Sequence, residues 1–172
     1  MFGFVVLMAS FACGPVSTPK AAIRRGMPHY EGNLARVFDD SVAPSAAGFP
    51  GASDEDPAHD TTFAPRVQLA DYILSARLVT TESPPAGGHT VTFKTLEKLS
   101  GKYNPPATFK IDLSPDNPYN KLLDVPHSPL LTKPLIILVK EFVAGEEVVR
   151  HVHIQPDTNE VRMAVASLLA RS

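Results

Sequence analysis

The side chains that could do chemistry are few and scattered. Cys13 is the single cysteine among 172 residues, so it can make no intramolecular disulfide. A thiol can act as a nucleophile or accept a covalent group, and Cys13 directly follows an uncharged apolar run, which favours the second use. His151 and His153 form a His-x-His pair. On a strand the period of two puts both imidazoles on one face, a geometry competent for a metal ion. Two ligands do not make a site; a third would have to come from His127, His89 or a carboxylate, and the pair reads first as part of a solvent-facing polar strand. Ser53-Asp54-Glu55-Asp56-Pro57-Ala58-His59-Asp60 carries ligands for calcium or a transition metal. It lacks the Asp-x-Asp-x-Asp-Gly order and distal Glu of a calcium loop, so a solvated charge run is expected. Ser100-Gly101-Lys102 lacks the glycine spacing of a phosphate loop, and no Gly-x-Ser-x-Gly elbow occurs. The stretch 112–120 is rich in Asp, Asn and Pro and reads as Asx-turns, with a ligand-binding rim as the alternative. No catalytic residue, metal or cofactor is expected from these patterns.

Composition narrows the partners. Hydrophobic residues make up 44% and charged residues 20%, a globular balance. The net charge of −2 gives no electrostatic case for nucleic acid or for an anionic lipid surface. Aromatic residues at 8%, with no Trp, weaken a role that needs exposed stacking rings.

Residues 1–12 are apolar and uncharged, too short for the ~20 residues that span a bilayer and suited to the apolar region of a signal peptide. The junction Ser10-Phe11-Ala12-Cys13 resembles the lipobox of bacterial lipoproteins. That resemblance implies cleavage before Cys13, a diacylglyceryl group on its thiol and acylation of the new N-terminus. Ordinary secretion, or a chain that stays inside with a buried Cys13, are the other readings. Residues 13–66 show no sustained period and contain seven prolines, from Pro15 to Pro65. They read as a lipid-anchored tether, with one short helical turn over 33–38.

From residue 67 the pattern changes, so 67–172 is expected to be the folded domain. Residues 67–82 read as one long strand, bulged near Ala70-Asp71. Residues 89–96 and 107–113 alternate, with Val91, Phe93, Phe109, Ile111 and Leu113 inward. Residues 99–106 read as a connection. Residues 134–142 are almost continuously apolar, as a strand covered on both faces is. Residues 147–154 form the fifth strand. Val161, Ala164, Val165, Leu168 and Leu169 mark one face of a C-terminal helix, with Asp157 as its cap and Glu160 in the capping-box position. The expectation is a mainly β fold: a small five-stranded antiparallel barrel with a C-terminal α-helix, with an immunoglobulin-like sandwich as the alternative.

Val91-Thr92-Phe93-Lys94-Thr95-Leu96-Glu97-Lys98-Leu99-Ser100-Gly101-Lys102 and Leu135-Ile136-Ile137-Leu138-Val139 resemble the OB-fold domain of the tissue-inhibitor-of-metalloproteinase (netrin-like) superfamily. The resemblance implies an OB-like barrel over 67–171. The inhibitors' zinc-chelating Cys-x-Cys does not carry over, because Gly14-Pro15 follows Cys13. The function expected is a non-enzymatic lipoprotein of the bacterial cell envelope, held to the membrane by lipid on Cys13 and acting as an accessory or structural subunit on envelope protein partners. The alternatives are a module that binds a glycan or metal, and a hydrolase with an unrecognised site.

Overall fold

The computed structural model of the chain describes residues 22–49, 60–124 and 128–171. Among them, helix α1 spans Gly32–Val37, strand β1 Ser41–Val42, a 3₁₀ turn Pro44–Ala47, and helix α2 Phe63–Leu69. Strands β2 (Tyr72–Glu82), β3 (His89–Gly101) and β4 (Thr108–Leu113) follow, then the one-turn helices α3 (Asn120–Leu123) and α4 (Pro129–Thr132). Strands β5 (Leu135–Ala144) and β6 (Glu147–Pro156) and helix α5 (Asn159–Leu169) complete the order.

The fold is mainly β with a C-terminal helix, but it is not a closed five-stranded antiparallel barrel. It is one open, mixed sheet of six strands in the order β1-β6-β5-β2-β3-β4. The extra strand, β1, runs parallel to β6, pairing Ser41 with His153 and Val42 with Ile154. A two-residue strand is too short to show alternation, which is why no pattern announces it.

Each face of the sheet carries its own core. Leu135, Ile137 and Val139 of β5 point to one side, with Tyr72, Leu74 and Ala76 of β2, Phe93 of β3 and Ile111 of β4. Ile136, Leu138 and Phe142 point to the other, where Phe63 and Val67 of α2 and Val161 and Val165 of α5 cover them. The continuous apolar run of β5 thus serves two layers at once. Each fully buried Ile or Leu there contributes roughly 1.5–3 kcal/mol.

Three irregularities curl the β2–β3 hairpin. Between Ile73 and Leu74, Ser75 and Ala76, and Leu78 and Thr80 the register slips, leaving Leu99, Leu96 and Val79 without a partner opposite. Such bulges bend a strand and increase its twist. The curl carries Phe93, Ile111 and Leu113 over towards Val42, Val152 and Ile154, and with Leu130 of α4 these enclose one apolar space.

Several boundaries move. Residues 63–69 form α2 rather than the start of a long strand. Phe63, Arg66 and Val67 are buried at helical spacing, and Pro65 sits in the first turn, where its missing N–H breaks no helical bond. The expected connection at 99–106 begins later, because β3 runs on to Gly101. Within the stretch read as a tether, residues 22–49 and 60–66 belong to the folded body: Phe38, Val42, Ala46 and Phe63 are buried in it. The cap of α5 is Thr158, whose hydroxyl accepts from the Val161 N–H (3.3 Å), not Asp157.

Candidate functional site

The most concentrated polar chemistry lies where β1, α2 and β6 meet. A cavity of about 240 Å³ opens there, with Ser41, Asp60, Arg66, His153 and Gln155 on its walls and Asp39 at its edge. Asp60 and Thr62 begin the α2 turn, Arg66 is one helical turn on, and Ser41 faces His153 through the β1–β6 pairing.

Arg66 is buried, and all five of its N–H groups are engaged. Nε donates to the Val37 carbonyl (2.7 Å). Nη1 donates to Asp60 Oδ2 (2.9 Å) and lies 3.4 Å from His153 Nε2. Nη2 reaches Ser41 Oγ (3.3 Å) and Asp39 Oδ1 (3.5 Å). Burial alone would raise the pKa of Asp60, but the side-chain and backbone bonds from Thr62 and the charge of Arg66 together hold it below its usual value. The result is an ion pair retained in a partly dry setting with its hydrogen-bonding capacity used.

His153 is neutral. Burial, reinforced by the positive charge of Arg66 and opposed by Asp60, pushes its pKa down to about 3. Its Nε2 faces two donors, Gln155 Nε2 at 2.8 Å and Arg66 Nη1, so this nitrogen is the bare one. Nδ1 then carries the proton and donates to Ser41 Oγ at 2.7 Å, a tautomer assigned from the network of bonds. This polarity is the reverse of a serine–histidine dyad, in which the hydroxyl gives its proton to the imidazole. Ser41 Oγ instead accepts from His153 and Arg66.

His151 keeps different company on the same face of β6. Its ring stacks on Tyr30 (centroids 3.5 Å apart, 8° between planes), and Nδ1 lies 2.7 Å from Asp40 Oδ2. Asp40 Oδ1 also accepts from the Val152 N–H (3.0 Å). Its backbone is in the left-handed region, φ 55°, a conformation Asp tolerates better than most residues. The Tyr30 hydroxyl donates to the Phe38 carbonyl (3.0 Å), and burial, with Asp40 and Asp39 nearby, raises its pKa to about 12.

The His-x-His pair is therefore not a solvent-facing strand. The imidazoles share a face but are engaged by separate partners, and His153 is buried. His89, a possible third ligand, sits elsewhere, between Asn120 (3.1 Å) and Asp124 (3.3 Å). His127 and residues 53–59 lie outside the described residues, as do the leader and Cys13. Among the described residues no three His, Cys, Asp or Glu side chains gather where they could hold a metal. Asp60, the last residue of the acidic run, is used by Arg66 and Thr62. In the 112–120 loop the polar side chains bond within the loop and to neighbouring strands: Asn117 Oδ1 accepts from the Tyr119 N–H (2.9 Å), and Asn120 Nδ2 donates to the Ser114 carbonyl (2.8 Å).

The chain matches no known protein family, no curated protein and no solved structure.

A second polar cluster sits at the start of β2, around Tyr72. Glu141, buried, accepts at Oε1 from the Tyr72 hydroxyl and Arg150 Nε (both 3.0 Å), while Oε2 pairs with Arg24 (2.6 Å). Burial, with the negative charge of Glu141, raises the pKa of Tyr72. Neither cluster was visible in the sequence. Arg66, Ser41, Asp40, Tyr30 and Glu141 come from segments far apart in the chain, and only the His-x-His pair of His151 and His153 hinted that one face of β6 is polar.

Proposed function

We propose that this chain is a non-enzymatic lipoprotein of a bacterial cell envelope, anchored through Cys13, whose β domain works as an accessory or structural subunit through contacts with envelope proteins. The observation that carries the reading is the inward turn of the Arg66 cluster. The feature most like an active site spends its donors on the protein's own acceptors, and its serine receives a proton bond instead of giving one. That arrangement ties β1, α2 and β6 together, and leaves recognition to the outer surface. Exposed apolar side chains such as Val79, Leu96 and Met163 are available there.

The OB-like resemblance belongs to the same proposal. The five long strands unroll as β4-β3-β2-β5-β6, so pairing β4 with β6 would close them into a five-stranded barrel. Apolar side chains from both strands already share one interior space.

The test is affinity purification of the protein from detergent-solubilised envelope membranes. A partner recovered in fixed stoichiometry is expected. Recovery of a monomer alone, at every detergent and salt tried, contradicts the subunit reading. A second reading, a small polar ligand in the 240 Å³ cavity, is favoured by one fact: three of the Arg66 contacts are long, at 3.3, 3.4 and 3.5 Å, and ligand oxygens could replace them.

A further inference from the structure

A separate cavity of about 170 Å³ is walled by Arg24, Arg25, Lys102, Tyr103 and Lys140, with Asp71 also on its lining. Two of its four cations are already ion-paired. Arg24 pairs with Glu141 and lies 3.6 Å above the Tyr103 ring, and Lys140 Nζ is 3.2 Å from Asp71 Oδ1. Asp71 is satisfied in turn, accepting from Lys140 and from the Glu141 N–H at 2.9 Å. Arg25 and Lys102 are exposed and have no ion-pair partner among the described residues. With Arg150, which shares Glu141 with Arg24, five cations stand against two carboxylates here, so the spot is positive on a chain whose net charge is −2. The patch is too small for a polyanion such as nucleic acid, which engages many phosphates at once. It suits a single phosphate, held by charge-assisted bonds from a guanidinium and an ammonium.

The surroundings favour a lipid as the source of that phosphate. Ile23, beside Arg24, is 47% exposed, and Tyr103 at the rim is 37% exposed. Cations next to an exposed aliphatic and an amphipathic ring form the pattern of a membrane-surface contact. Arg24 lies eleven positions after Cys13, which bounds the distance between them to under about 40 Å. A lipid anchor is reinforced by a second, electrostatic signal placed close to it.

We propose that this cavity binds the phosphate of an anionic glycerophospholipid headgroup through Arg25 and Lys102, seating the domain on the bilayer. The inference deepens the anchored reading above and rests on it for the source of the lipid. Its test removes the anchor. The purified chain carrying Cys13→Ser is floated with phosphatidylcholine vesicles made with and without phosphatidylglycerol. Binding is expected only with phosphatidylglycerol, with competition by glycerol phosphate. Arg25→Gln with Lys102→Gln should weaken it roughly twenty-five-fold, about fivefold per cation. A control of equal charge loss, Lys94→Gln with Lys110→Gln on β3 and β4, should change it little. Equal binding to both vesicles, no binding to either, no competition by glycerol phosphate, or an equal loss in the control overturns the proposal. If Cys13 proves acylated in cells but flotation fails, only the cavity is wrong. If flotation succeeds and Cys13 proves unmodified, only the anchor is wrong.

Discussion

At the scale of single residues, His153 and Arg66 make the sharpest statements. The folded protein holds His153 neutral down to about pH 3, whereas an unfolded histidine titrates near 6.5. Between those values the unfolded chain binds the proton and the folded chain does not. Stability contributed by neutral His153 is therefore complete above about pH 6.5 and is lost progressively as pH falls towards 3, by an amount on the order of a few kcal/mol. Urea denaturation at pH 7.5 and pH 4.5 should show that loss in the wild-type protein. His153→Gln, which keeps a polar side chain without a titrating group, should flatten it; an equal slope in both proteins contradicts the assignment. Arg66→Ala should cost about 3 kcal/mol or more, because Asp60 and Asp39 then lose their countercharge in a partly buried site. A near-neutral Arg66→Ala would instead favour the second reading, in which the guanidinium is held for a ligand. The sequence concealed this cluster for a plain reason. A buried arginine and a buried serine carry no local signature; tertiary contact alone gives them their roles.

Among the secondary-structure elements, the long periodic segments were legible and the short ones were not. Strands β3 and β4 alternate as their sequences alternate, because one face packs and the other is wetter. The stripe on α5 docks through Val161 and Val165 as its spacing demands. Helix α2 was hidden by Pro65 and by the apolar residues that follow, which extend the pattern of β2 backwards. At the start of α5, two candidate caps stood side by side. Thr158 has the extended backbone of a cap, and its hydroxyl serves the helix. Asp157 is drawn off by Arg162 (Nη2 at 2.8 Å) and by the Ser75 hydroxyl (2.6 Å), bonds that hold its carboxyl below the usual pKa range. Thr158→Ala should lower stability by about 1 kcal/mol in thermal or urea unfolding, and Thr158→Ser should restore most of it. No change in the alanine variant would return the cap to Asp157. At the end of β3, Gly101 has φ of +123°, and a Cβ there would lie 2.4 Å from the Asp71 carbonyl oxygen, so the bend that leads into Lys102 depends on glycine.

Across the whole molecule, the mainly β class and the C-terminal helix could be read from pattern, whereas closure of the sheet could not. Closure depends on how bulges at Val79, Leu96 and Leu99 sum into curvature, and on which segment fills the gap between β4 and β6. Residues from the Pro-rich half of the chain fill part of it: Val42 and Ala46 join the same core as Phe93 and Ile111. A low-period stretch can thus belong to a core when its few apolar residues meet a ready surface. The domain that results keeps its polar clusters to itself, and its proposed work lies at its exterior and at the membrane. The anchored reading depends on Cys13 being the point of attachment. The most direct measurement is the intact mass of the protein extracted from membranes of the cells that make it. The account predicts a chain that begins at Cys13 and carries the added mass of a diacylglyceryl group and an acyl chain. A chain still beginning at Met1 with a free thiol would contradict it.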